Sequence, residues 1–118
     1  MEKLSAAEEE VMLAAWQTKG GFIRDFMAHM DTDVPYTTIA STVKNLEKKG
    51  YLSSSKQANS YYYVPAIAQE DYNRTNLSDV VRHYFANSYK DMVAFFAKDK
   101  KISPEELQEI IKLIEKQP

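Results

Sequence analysis

Only three glycines occur among the 118 residues, and each stands between patterned segments. Glycine enters left-handed backbone at no steric cost, so in a chain this poor in it Gly20-Gly21 and Gly50 read as helix stops. Upstream, Ser5-Ala6-Ala7-Glu8 is a capping box, in which the serine hydroxyl and the glutamate carboxylate each take an orphan backbone N–H. Ala7, Val11, Ala14, Ala15 and Trp16 follow at near-helical spacing, which predicts a helix from Ala6 to about Lys19. Ile23, Phe26, Met27 and Met30 fall at i, i+3, i+4, i+7 and predict a short second helix, ended by Asp31-Thr32-Asp33. Val34-Pro35 then imposes an extended entry, because the residue before proline avoids the α region. From Tyr36 the period is helical again, with Ile39, Val43 and Leu46 on one side. Lys48-Lys49 suit the negative end of that helix, and Gly50 supplies its left-handed C′ residue.

After Gly50, Tyr51–Lys56 and Tyr61–Val64 flank the polar tetrad Gln57-Ala58-Asn59-Ser60. Tyrosine and valine favour strands and the tetrad has the length of a turn, so the segment reads as a β-hairpin. Helix, helix, helix, hairpin is the order of a winged helix-turn-helix. The rest is helical. Leu77, Val81, Tyr84 and Phe85 form one stripe and Tyr89, Met92, Val93 and Phe96 another, with the weak helix formers Asn87-Ser88 between them. Ser103-Pro104-Glu105-Glu106 is a second capping box with proline at N1, followed by the stripe Leu107, Ile110, Ile111 and Ile114. The fold class expected is mainly α with a small β-hairpin. A winged-helix DNA-binding domain occupies residues 1–67 and a helical dimerisation region residues 68–118.

Composition narrows the function. With 44% hydrophobic residues the chain can bury a core, and with no cysteine it has neither disulfides, thiolate metal sites nor a cysteine nucleophile. Its apolar runs are too short to span a membrane, and Met1–Leu4 lacks the apolar stretch of a secretory signal, so a cytoplasmic protein without membrane insertion is expected. His29 and His83 are isolated, with no second ligand at metal spacing. Ser5 and Ser103 read as caps, there is no glycine-rich phosphate loop, and Trp16, Phe22, Phe26 and the methionines read as core. No catalytic residue, metal site or cofactor is expected, and the chain does not read as an enzyme.

The net charge of −2 argues against nucleic acid for the chain taken whole, but not for its segments. Tyr36–Tyr63 carries four lysines against one acid, Glu47. A helix entering the major groove needs small hydrogen-bonding side chains on its outer N-terminal face with positive charge around them. Thr37, Thr38 and Ser41 fit the base-reading role, and Lys44, Lys48, Lys49 and Lys56 the phosphate role. The same residues also fit a merely solvated face. The hairpin that follows, and the absence of an acid between Tyr36 and Val43, favour DNA. In the last third, a helix of about a dozen residues is marginal alone in water, so its apolar stripe must be covered. Packing within the chain is one way. A two-fold dimer is favoured, because helix-turn-helix modules commonly bind paired half-sites. Leu77, Val81, Tyr84, Phe85, Met92, Phe96, Leu107, Ile110, Ile111 and Ile114 are its candidate interface.

Leu4-Ser5, Glu8, Val11-Met12 and Trp16 resemble the N-terminal signature L-[ST]-x-x-E-x-x-[IV]-M-x-x-x-W of the penicillinase-repressor family of BlaI, MecI and CopY type. Tyr36-Thr37-Thr38-Ile39, Leu46 and Lys48-Lys49-Gly50-Tyr51-Leu52 resemble its recognition helix and strand entry, and Tyr63-Val64-Pro65 its wing exit. The resemblance covers almost the whole chain. It implies a repressor that binds a palindromic double-stranded DNA operator as a homodimer, with base contacts near Thr37, Thr38 and Ser41. Some members carry an arginine where this chain has Ala40. The β-lactam-responsive members imply a membrane metalloprotease-sensor as a further partner, since they are inactivated by cleavage at an Asn-Phe bond. The aligned bond here is Phe95-Phe96, which keeps the second residue and replaces the asparagine. The copper-responsive members carry C-terminal cysteines, which this chain lacks. Two alternatives stay open: a winged-helix protein-interaction module, and a ligand-sensing regulator of the MarR type.

Overall fold

The computed structural model describes residues 1–118 and contains six helices and one hairpin. They are α1 (Ala6–Thr18), α2 (Ile23–Ala28), α3 (Tyr36–Lys48), β1 (Leu52–Gln57), β2 (Ser60–Pro65), α4 (Gln69–Tyr84), α5 (Tyr89–Lys98) and α6 (Pro104–Glu115). The chain divides into two compact units, Met1–Tyr72 and Asn73–Pro118. The order and kinds of element are those of the sequence reading.

The first unit closes around one core. Val11, Met12, Ala14 and Ala15 of α1, Phe26 of α2 and Ile39, Val43 and Leu46 of α3 are buried together with Tyr51, Leu52, Tyr63 and Tyr72. Burying each large apolar side chain stabilises the unit by about 1.5–3 kcal/mol relative to exposure. Trp16 packs at the edge of this core. Its indole N–H donates to the Ile67 carbonyl at 2.8 Å, and its ring lies 5.4 Å from that of Tyr72. Burial and a hydrogen bond donated to Glu9 (2.5 Å) push the Tyr72 phenol well above its ordinary pKa.

Local signals act as the residues require. The Ser5 hydroxyl accepts from the Glu8 N–H at 3.2 Å, and the Glu8 carboxylate accepts from the Ser5 N–H at 2.8 Å. The left-handed stop of α1 falls one residue earlier than Gly20, on Lys19 at φ 62°. Gly20 is needed for a different reason. At φ 121° a Cβ there would meet the Tyr63 carbonyl oxygen and a Val64 methyl at 3.0 Å. That closeness lets Gly21 exchange both backbone hydrogen bonds with Tyr63, at 2.9 and 2.8 Å, so the hairpin is stitched to the α1–α2 connection. Gly50, at φ 83°, is the left-handed C′ residue expected after α3.

The hairpin pairs from Leu52↔Pro65 through to Gln57↔Ser60. Cross-strand pairing therefore takes in both ends of the expected tetrad and leaves only Ala58-Asn59 as the loop. Ala58 adopts the positive φ, 56°, that a tight two-residue hairpin demands at its first loop position.

In the second unit, α4 ends at Tyr84, and Ala86 and Asn87 both take positive φ, at 49° and 65°. Ser88 then caps α5 by accepting from the Asp91 N–H at 3.1 Å. The Ser103 capping box is complete, with both bonds to Glu106 formed at 2.8 and 3.1 Å. Phe85 stacks edge-on against Phe95, with ring centroids 5.7 Å apart. Neither α5 nor α6 buries a single residue. No helix of the protein is long and apolar enough to cross a membrane.

Candidate nucleic-acid interface

On α3 each residue advances about 100° around the axis, so the buried Ile39, Val43 and Leu46 fix the opposite side. That side is Thr37, Ser41, Lys44 and Lys48, an i, i+4, i+7, i+11 stripe whose four members are all exposed. Thr38 is also exposed but lies on the flank beside Thr42, whose hydroxyl donates to the Thr38 carbonyl at 3.1 Å. The acid of this segment, Glu47, is turned away from the stripe. It accepts the Ser54 hydroxyl of β1 at 2.5 Å. The outer face of α3 is thus polar and positive, without a carboxylate on the stripe.

Of the four lysines read from the sequence, Lys44 and Lys48 lie on that stripe and Lys56 is exposed near the tip of the hairpin. Lys49 is placed differently. Its ammonium donates to Glu8 at 2.8 Å and to the Lys3 carbonyl at 3.3 Å, tying the end of α3 to the start of α1. The hydrogen bond from Lys49, followed by that from the Ser5 N–H, lowers the Glu8 pKa. The same bond raises the pKa of Lys49. Its charge is largely committed inside the protein, 41 residues away in sequence.

The other flank of α3 faces the hairpin across a cleft of about 670 Å³. Tyr36, Ala40 and Lys44 line it from α3, Arg24 and Asp25 from α2, and Gln57 through Tyr61 from the hairpin. The Arg24 guanidinium lies over the Tyr36 ring, 4.9 Å from its centroid. Sequence reasoning missed Arg24, because a lone arginine on a six-residue helix carries no signal of its own. Along β2 the three tyrosines divide. Tyr63 is buried, and that burial raises its pKa; Tyr62 packs edge-on against Phe22 at 5.2 Å; Tyr61 is left exposed beside the cleft.

The residues read as an interface between copies also divide. Val81 is fully buried within its own chain, whereas Leu77, Tyr84, Phe96, Ile110, Ile111 and Ile114 are exposed and Phe85, Met92 and Leu107 half-buried. The Phe95 and Phe96 rings contact each other at 5.5 Å, and both side chains are open to solvent on α5.

Two helices, a third with a polar outer face, and a hairpin bonded back to the first interhelical connection define a winged-helix protein. Residues 4–116 match the family model described as penicillinase repressor, and the chain belongs to that family. The penicillinase repressor of Bacillus licheniformis is 24% identical over 115 residues, which are 96% of this chain and 90% of that one. The methicillin resistance regulatory protein MecI of Staphylococcus aureus (strain N315) is 22% identical, covering 97% of this chain and 94% of its own. A solved structure described as "Mechanism for regulation of DNA binding of Bordetella bronchiseptica BpsR by 6-hydroxynicotinic acid" aligns over 98% of this chain and 75% of that chain, at 16% identity and a TM-score of 0.49.

Proposed function

We propose that this chain is a cytoplasmic transcriptional repressor that binds a palindromic DNA operator as a homodimer. The observation that carries the reading is the acid-free outer stripe of α3, exposed beside a hairpin that ends in Lys56 and a polar loop. Thr37 and Ser41, at the centre of the stripe, meet base edges, and Thr38 reaches them from the flank. Hydroxyls donate or accept there, and a threonine methyl can meet thymine. Lys44, Lys48 and Lys56 supply sequence-independent phosphate contact. Lys49 supports the same surface chiefly by holding the end of α3 on Glu8.

Dimerisation is supported by the second unit, where Leu113 and Ile114 of α6 are each 63% exposed on a helix capped at Ser103. A second copy covers such a face at no cost in new sequence, and two-fold symmetry then sets half-sites about 34–36 Å apart or a multiple of that. Relief of repression follows cleavage in this unit, at Phe95–Phe96, by a membrane metalloprotease-sensor. The exposure of both phenylalanines supports that step, while Phe95 stands where the cleaved members of the family it resembles have asparagine.

In vitro selection of bound duplexes, followed by anisotropy titrations at several salt concentrations, tests the reading. A palindromic site is expected. Thr37→Ala, Thr38→Ala and Ser41→Ala should each weaken that site by about 1–3 kcal/mol and leave scrambled DNA unaffected. Lys56→Ala should weaken both duplexes alike and reduce the salt slope by about one unit. Recovery of no common sequence, or a lysine variant that changes base preference, counts against it.

A further inference from the structure

The cleft beside the wing holds a cation that the outer stripe of α3 does not account for. Arg24 and Lys44 face it against one acid, Asp25. Asp25 is already engaged, since its carboxylate accepts the Phe22 N–H at 2.8 Å. Arg24 forms no ion pair; its partner is the Tyr36 ring, at 4.9 Å. Pro35, with φ at −64°, sets Tyr36 at the first position of α3, so the ring is placed by the backbone.

We propose that Arg24, held on the ring of Tyr36, anchors a backbone phosphate of the DNA strand running along this cleft. The inference rests on the DNA-binding reading above and assigns α2 a part in it. A guanidinium over an aromatic face is held through its π surface, while its in-plane N–H donors stay free for a phosphate. Holding the side chain in advance removes part of the rotamer entropy that an exposed arginine loses on binding. The remaining lining fits the same occupant. Ala40 presents only a methyl group and leaves room for a sugar–phosphate chain. Gln57, Asn59 and Ser60 across the cleft offer neutral hydrogen-bonding groups, which contact phosphate without reading sequence. Arg24 is therefore a positioning residue that fixes how deeply α3 enters the major groove, not a reader of bases.

The test compares wild type, Arg24→Ala, Arg24→Lys, Tyr36→Phe and Tyr36→Leu on two duplexes, the selected operator and a scrambled version of it. Arg24 and Tyr36 are exposed, so the variants should keep the fold, which circular dichroism checks. Arg24→Ala should weaken both duplexes about tenfold near 0.1 M salt and reduce the salt slope by about one unit, the value of one lost phosphate contact. Arg24→Lys should keep the slope and lose a few-fold in affinity, since an ammonium keeps the charge without the planar stack. Tyr36→Phe should match wild type, whereas Tyr36→Leu should fall between wild type and Arg24→Ala. A wild-type slope in Arg24→Ala, with Lys44→Ala still losing its contact, overturns the anchor and leaves the DNA reading intact. A change of base preference in Arg24→Ala overturns it as well. A wild-type chain that binds neither duplex removes the DNA reading and the anchor together.

Discussion

The two units of this protein use the same materials to opposite ends. In Met1–Tyr72, apolar side chains from α1, α2, α3 and the hairpin meet in one closed core with Phe26, Val43 and Leu46 fully buried. In Asn73–Pro118, α6 carries a more sharply one-sided apolar stripe than α3 does, yet buries none of it. Amphipathicity fixes which face of a helix wants covering; whether it is covered depends on what else the chain brings to it. The first unit has three helices and a hairpin converging on one centre, whereas α5 and α6 of the second bury no residue.

Four experiments would break or sharpen that contrast. Phe26→Ala should destabilise the first unit by about 3–5 kcal/mol, by lost transfer energy and the cavity it leaves. Ile114→Ala removes a comparable amount of apolar volume from a residue 63% exposed and should change thermal stability by less than about 0.5 kcal/mol at concentrations where the chain is monomeric. Equal losses in the two melts would erase the distinction between a closed and an open core.

Ending the chain at Phe95 comes next in size. It deletes the stripe of α6 and part of α5, and should leave the first unit folded by circular dichroism. Affinity for a palindromic operator should fall by about 10²-fold or more, because the second half-site loses its effective concentration. Light scattering should report a dimer for the full chain and a monomer for the truncation. A full-length monomer at tens of micromolar, or a truncation that binds as tightly as the full chain, would sink the dimer reading.

The two serine caps offer a smaller and cleaner comparison. Both capping boxes are fully formed. Ser5→Ala should cost about 1 kcal/mol of the cooperative unfolding of the first unit. Ser103→Ala removes the same bonds from a helix with no buried residue, so its cost should appear as faster amide exchange confined to the start of α6. A global loss from Ser103→Ala would show that α6 belongs to a cooperative core after all.

A smaller effect is acidic. Glu8 is buried and its folded pKa lies below its ordinary value of 4.5, chiefly through the hydrogen bond from Lys49. A depressed carboxylate contributes stability above its unfolded pKa and loses it as pH falls through the folded value. Wild type should therefore lose stability below about pH 4.5 more steeply than Glu8→Gln, and the two should run parallel between pH 6 and 8. Thermal melts across pH decide it; identical acid slopes would mean that the Glu8–Lys49 pair carries no linkage. In the second unit the ion pair between Arg82 and Asp79 lies exposed on the surface of α4, and its loss should be within error.

Much of the fold was legible in local chemistry. Ser5 with Glu8, Ser103 with Glu106, Pro35 before Tyr36 and Gly50 after Lys49 act over three or four residues, where sequence adjacency is spatial adjacency. The outer face of α3 was legible for the same reason, because Ile39, Val43 and Leu46 fix its opposite side. The misses are long-range. Nothing next to Lys49 marks it as the partner of Glu8, and nothing next to Arg24 marks it as lying over Tyr36. Tyr72, at the start of α4, sits against Trp16 and Tyr51 and closes the core of the first unit, though no periodicity of its own segment says so. Val81 looks like any member of an apolar stripe and proves to be buried within the chain.

By itself, the sequence determined the order and kinds of element, the capping boxes at Ser5 and Ser103, the buried side of α3, and through its signature residues the family. Those properties come from backbone preferences and helical period, which act over a few residues and are written into them directly. Only the tertiary structure decided which charges are spent internally and which stay exposed, which of three consecutive tyrosines is buried, and that an arginine of α2 and a tyrosine of α3 share a cleft with the wing. Those outcomes depend on distances between residues that the chain brings together only when its core closes, as when packing of Val11, Phe26 and Leu46 carries Glu8 to within 2.8 Å of Lys49.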